Sequence, residues 1–216
     1  MTHDQIEAMA REVALSVFGL VSCAGDKAVP DGAQTLVLLG PGEPGFWDHV
    51  TSTPEFADGA ADPLDRWSTR VVKALSDRLG GTAIFPFGGP PYAPFQRWAT
   101  DSGRAWPSPV GLLVHDTAGL WVSYRGAIAL PFGVATPTQP AKPCDTCTAK
   151  PCLTACPVGA LTGDGYDLPR CHAHLDGAGS ATCMAQGCQV RAACPAGASY
   201  GRVDAQSAFH MAQFHR

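Results

Sequence analysis

The sequence predicts an α+β protein of two domains, and three observations lead to that class. Helix-spaced and strand-like apolar segments alternate through the first part of the chain. Short apolar pieces broken by turn residues follow, as neighbouring antiparallel strands require. Eight of the nine cysteines then crowd between Cys144 and Cys194, behind a proline-rich stretch. A length of 216 residues suits two domains better than one or three. The expected division is an α+β domain over 1–135 with strands largely antiparallel, a linker over 136–143, a cysteine-rich domain over 144–200 and a helical tail over 201–216.

In chain order, Ile6, Met9, Ala10, Val13, Ala14, Val17 and Leu20 fall at helical spacing and predict one helix over 4–21, which Gly25 helps to end. Cys23 stands far from the other cysteines and is expected to be a packed thiol. Residues 35–39 form a short apolar run between glycines, a buried strand. Trp47 and its neighbour Phe46 lie in a turn-rich loop, where they would either line a pocket or, the preferred reading, cap the core. Asp62 and Pro63 open a second helix, the aspartate as N-cap and the proline in the first turn, and Gly80 and Gly81 stop it. A strand over 82–87, a helix over 92–99 and apolar pieces over 111–115, 120–124 and 127–130 that suggest two or three adjacent antiparallel strands complete the domain. Pro131, Pro137, Pro140 and Pro143 make the connection to the second domain semi-rigid. Residues 204–214 predict a closing helix.

Apolar residues make up 45% of the chain, charged residues 16%, and the net charge is -4. That composition provides a core and argues against nucleic acid and anionic membranes as partners. No apolar run is long enough to span a bilayer. The expected location is the cytoplasm, whose reducing conditions keep thiols free. The first domain has no G-x-G-x-x-G or Walker loop and no Ser or Cys nucleophile motif.

The chemistry points to the cysteines. Cys144, Cys147, Cys152 and Cys156 read C-x2-C-x4-C-x3-C, with Pro157 next; Cys171, Cys183, Cys188 and Cys194 follow, with Pro195 next. Short gaps let three sulfurs of one loop converge on an inorganic centre while a displaced fourth serves a second centre. The first run resembles the ferredoxin-type domains of electron-transfer subunits, in which the fourth cysteine of each run crosses to the other cluster. That resemblance implies one 4Fe-4S cluster on Cys144, Cys147, Cys152 and Cys194, and another on Cys171, Cys183, Cys188 and Cys156.

The second run departs from a ferredoxin repeat, with gaps of eleven, four and five residues, and leaves open a domain with a single cluster. Zinc also takes four thiolates, but its usual paired C-x2-C pattern fits eight interleaved cysteines poorly. A disulfide framework needs export, and the first residues carry neither a basic start nor an apolar core.

The carboxy-terminal cysteine region is similar to that of epoxyqueuosine reductases and cobalamin-dependent reductive dehalogenases. The order of elements, and Phe85 to Tyr92 ahead of a helix, resemble the amino-terminal domain of the former and, in outline, cobalamin-processing reductases related to flavin nitroreductases. Two functions are therefore expected. The first is one-electron transfer through two 4Fe-4S clusters to a redox partner protein or small-molecule acceptor. The alternative is a small reductase whose clusters feed a corrinoid (cobalamin) or flavin in the amino-terminal domain, with Phe85, Phe87, Tyr92, Trp121 and Tyr124 as pocket walls. His172, His174, His210 and His215 are expected to be packing or surface residues.

Overall fold

The computed structural model describes all 216 residues, and the chain is α+β. Helix α1 (His3–Arg11) opens on a reciprocal cap: Thr2 Oγ1 accepts the Gln5 N–H, and the Gln5 side chain accepts the Thr2 N–H at 2.8 Å. The helix is shorter than expected. Glu12 caps it, Ala14 turns the chain with φ 55°, and β1 (Leu15–Ser22) follows. Leu15 to Val21 are all buried, so both strand faces are covered and the apolar spacing there carries no helical information.

Strand β2 (Thr35–Pro41) lies where expected. The aromatic loop instead forms two short helices, α2 (Phe46–Thr51) and α3 (Pro54–Ala57), and Phe46 packs edge-on against Trp67 at 5.5 Å. Helix α4 (Pro63–Leu79) has its expected bounds, with Gly80 as a left-handed cap. The Asp62 side chain makes no capping bond; its backbone is left-handed, and its carbonyl accepts the Asp65 and Arg66 N–H groups. Strand β3 (Thr82–Ile84) is half the expected length, α5 (Phe95–Asp101) starts three residues late, and β4 (Ala105–Pro107) was not expected. After β5 (Leu113–His115) the chain turns, so no strand forms over 120–124, and β6 (Gly126–Leu130) follows.

The later elements are short. They are α6 (Pro143–Thr146), the hairpin β7 (Leu161–Thr162) and β8 (Gly165–Tyr166), α7 (Leu168–Leu175), α8 (Ala181–Gln186), α9 (Gln189–Ala192) and α10 (Asp204–Phe214), with 3-10 turns at Pro151–Leu153, Ala178–Ser180 and Pro195–Gly197. No helix is long and apolar enough to cross a membrane.

The chain forms two compact units, one of Met1–Arg104 with Ser123–Pro140, the other of Ala105–Val122 with Ala141–Arg216. The expected boundary at residue 135 therefore misses an insertion: the β4–β5 hairpin belongs with the cysteine-rich part of the chain.

In the first unit, an antiparallel sheet has the order β1-β2-β6-β3. The side chain of Phe18 covers Gly40, where a Cβ would meet its ring at 2.2 Å. The register of β1 on β2 slips between Val17 and Gly19, and Glu7 of α1 accepts the Val17 N–H at 2.6 Å. The buried face of α4, including Trp67, Val71, Val72 and Leu75, belongs to this core.

In the second unit, Val110, Val114 and Leu120 of the inserted hairpin region cluster with Cys152, Leu161, Val190 and Cys194. The insertion thus supplies large apolar side chains to a region whose own sequence is rich in Cys, Gly, Ala and Pro.

Candidate functional site

The eight clustered cysteines all lie in the second unit, on short elements. Cys144 is on α6, Cys147 follows it, and Cys152 is in the first 3-10 turn. Cys156 opens the turn into β7, Cys171 is on α7, Cys183 on α8, and Cys188 and Cys194 flank α9. Every cysteine is a free thiol; Cys152, Cys183 and Cys194 are buried and the other five of this set partly so.

Electrostatics divides these thiols into two neighbourhoods. Burial pushes the Cys144 thiol up, and Cys194, Cys152 and Cys147 add to the rise. Cys152 is raised by burial and then by Cys194 and Cys147. In the other neighbourhood, burial raises Cys183, with further contributions from Cys188, Cys156 and Cys171. The structure thus brings Cys144, Cys147, Cys152 and Cys194 into one region and Cys156, Cys171, Cys183 and Cys188 into another.

Proximity is not convergence. No group of three or more His, Cys, Asp or Glu side chains is placed to hold a metal ion. This overturns the expectation of a protein that passes electrons through two 4Fe-4S clusters, and with it the alternative in which such clusters feed a corrinoid or flavin. The reason is geometric: the cysteines sit on separate short elements, α6, the 3-10 turn Pro151–Leu153, α7, α8 and the ends of α9, and the turns between these leave no three of their sulfurs placed around one point.

Cys156 differs from these neighbours. Burial acts to raise its pKa, but the backbone N–H groups of Leu161, Val158, Ala160 and Gly159 outweigh burial and pull it below the ordinary thiol value. The Ala160 N–H donates to Cys156 Sγ at 3.2 Å. Gly159, at φ 62°, closes the turn by donating to the Cys156 carbonyl at 3.2 Å. Successive N–H groups converging on one atom form an anion-stabilising nest. The sequence marks Cys156 only as one cysteine among eight; the Pro157, Val158, Gly159 turn behind it is the available signal of its distinct surroundings.

Three other side chains face the second neighbourhood. The Tyr166 hydroxyl donates to Cys171 Sγ at 3.4 Å, and burial, followed by that thiol, raises its own pKa. His174 Nε2 lies 3.8 Å from Cys183 Sγ. Arg191 donates to the Leu120 carbonyl; burial lowers its pKa while the charge of Cys188 opposes that shift.

The five aromatic residues expected to wall a pocket have separate settings. Phe85 and Phe87 stack on one another at 5.2 Å and are half-buried. Tyr92 is 65% exposed. Tyr124 is a core residue of the first unit, 6.1 Å from Phe18 and 6.0 Å from Phe95. Trp121 belongs to the second unit, where the Arg202 guanidinium lies 5.3 Å from its ring centre.

No protein-family model, no curated protein and no solved structure matches the chain.

Proposed function

We propose that the second unit acts through thiol–disulfide exchange, with Cys156 as the attacking thiolate. The observation that supports this reading most directly is the backbone N–H donation to Cys156 Sγ, because the thiolate is the nucleophilic form of cysteine. Cys156 is only partly buried, so a small disulfide has access to it.

The electron balance closes within the protein and its substrate. The Cys156 thiolate attacks one sulfur of a disulfide, forms a mixed disulfide and releases the other half as a thiolate. A second thiol of the same neighbourhood, Cys183, Cys171 or Cys188, loses its proton and attacks the Cys156 sulfur. An internal disulfide forms and the second half of the substrate leaves as a thiol. Two protein thiols are oxidised and one disulfide is reduced. Cys156 provides the N–H-stabilised sulfur, and the neighbouring cysteines provide the resolving thiol.

The test is the alkylation rate of each cysteine against pH in unaltered protein isolated without oxygen, with iron and acid-labile sulfide measured on the same sample. The expected result is that Cys156 reacts first and at the lowest pH, and that an added low-molecular-weight disulfide converts it to an internal disulfide. If Cys156 reacted no faster than Cys147, the reading would fail. Stoichiometric iron and sulfide, with Cys156 unreactive until they are stripped, would also overturn it.

A further inference from the structure

The final helix packs on α8, which carries Cys183, and its far end reaches α7, which carries Cys171. Its first turn is anchored deeply. Gln206 and Ser207 are buried, Arg202 Nε donates to Ser207 Oγ at 3.0 Å, and the Arg202 guanidinium lies over Trp121. Ser207 meets α8 so closely that a Cβ on Gly187 would lie 2.8 Å from the Ser207 Cβ. Cys183 is on that α8.

Its far end is held differently, by partly exposed rings and two histidines. Phe214 stacks on His172 of α7 at 4.7 Å and faces Tyr166 of β8 at 6.4 Å, with Phe214 38% and Tyr166 39% exposed. His215 contacts His172 through their Nδ1 atoms at 2.8 Å and reaches the Asp176 carboxylate through Nε2 at 3.1 Å. His172 is next to Cys171, and Tyr166 is the residue whose hydroxyl donates to Cys171 Sγ. At this end Ala212, Gln213 and Phe214 are exposed, and the stack on His172 and the two His215 contacts hold it to α7 and Asp176.

We propose that α10 is a strap over Cys171 and Cys183, fixed at Gln206 and Ser207 and released at Phe214 and His215, so that its far end governs access to the resolving thiols. The inference rests on the thiol–disulfide reading and deepens it. With the strap closed, Cys183 is buried, the Tyr166 hydroxyl is bonded to Cys171 Sγ, and Phe214 stacks on His172 beside it, while Cys156 is partly exposed. Opening uncovers the partner thiol without disturbing the turn from Cys156 to Leu161, which lies on a different element.

Two measurements test the strap. In the full chain carrying Phe214→Ala and His215→Ala, alkylation mapped residue by residue is expected to accelerate several-fold at Cys171 and Cys183 and to stay unchanged at Cys144, Cys147, Cys152 and Cys156. In the unaltered protein, amide exchange is expected to be faster over 209–215 than over 183–187. Unchanged rates at Cys171 and Cys183, an equal acceleration at every cysteine, or equal protection of the two amide segments would each overturn the strap. The Cys156 rate in the unaltered protein is read separately, so failure of the thiol–disulfide reading is distinguishable from failure of the strap.

Discussion

Replacing Gly119 by alanine tests whether the inserted hairpin is an integral part of the thiol-bearing unit. Gly119 has φ 54°, and a Cβ there would lie 2.4 Å from the Gly197 nitrogen and 2.7 Å from its Cα. These are backbone atoms just after Cys194 and Pro195, with no side chain to swing aside. The left-handed backbone costs alanine about 1 kcal/mol relative to glycine. Forcing the two backbones apart adds roughly 1–3 kcal/mol. The total, about 2–4 kcal/mol, is a large share of the ~5–15 kcal/mol that holds a typical domain folded. Gly111→Ala supplies the control. Gly111 has φ 76° and nothing within 4 Å of the added carbon, so only the backbone term of about 1 kcal/mol applies. Urea unfolding followed by hydrogen exchange reads both variants. The Gly119 variant is expected to lose protection in β4, β5 and residues 183–200 while the first-unit strands β1 and β6 keep theirs. Equal losses in the two variants, or a loss centred on β1 and β6, would refute the close packing of hairpin and cysteine turn.

Three further outcomes are expected. Ala160→Pro removes the N–H that reaches Cys156 Sγ. Hydrogen bonds to charged groups contribute roughly 1.5–3 kcal/mol, and because three other N–H groups share this sulfur the low end applies, about a tenfold slower alkylation of Cys156 near neutral pH. Persistence of the Asp167 N–H bond to the Ala160 carbonyl, seen by amide exchange, checks that the turn survives. Glu55→Gln probes acid stability, since hydrogen bonding to Arg70 holds the Glu55 carboxyl down at about 2 from an ordinary 4.5. A depressed carboxyl stabilises the fold above its unfolded value and loses that contribution as pH falls from about 4.5 towards 2. The Arg70 side chain is 54% exposed, so the effect is screened to about 1 kcal/mol at neutral pH and is expected to vanish near pH 2, as chemical denaturation at the two pH values will show. Cys23→Ser is expected to leave the alkylation pattern of the other eight cysteines unchanged, because Cys23 is a buried residue of the first unit.

Much of the fold was legible wherever local chemistry decided it. Pro63 in the first turn and Gly80 at the end bound α4 at the expected residues, and the apolar run opening at Thr35 became β2. Legibility failed where burial on both faces erased periodicity. Val13, Val17 and Leu20 satisfy a helical spacing, yet the chain reverses at Ala14 and enters a strand buried on both sides. The inserted hairpin was hidden for another reason. Trp106, Val114 and Leu120 are ordinary strand and turn residues in sequence, and only tertiary packing assigns them to the cysteine-rich unit.

The thiol site was legible in its membership and not in its geometry. Spacing along the chain orders the sulfurs, but their separation depends on the turns of α7, α8 and α9 between them, and these leave no set of three placed for a metal ion. Nor does spacing reveal protonation. Cys156 is set apart by backbone N–H groups, and backbone groups have no residue signature beyond the Gly159 that lets the turn close. The resulting asymmetry has a chemical consequence. Within one neighbourhood a thiol pulled towards its anion, Cys156, sits beside one pushed towards its neutral form, Cys183. A low-pKa sulfur is the better leaving group in exchange and a high-pKa sulfur the stronger nucleophile once deprotonated. An internal disulfide between them would expel Cys156 more readily than Cys183, so an incoming thiolate is expected to attack at Cys183 once the strap over it has opened. The backbone turn that activates Cys156 for attack also makes it the sulfur released when the disulfide is reduced, so one structural feature serves both directions of the cycle.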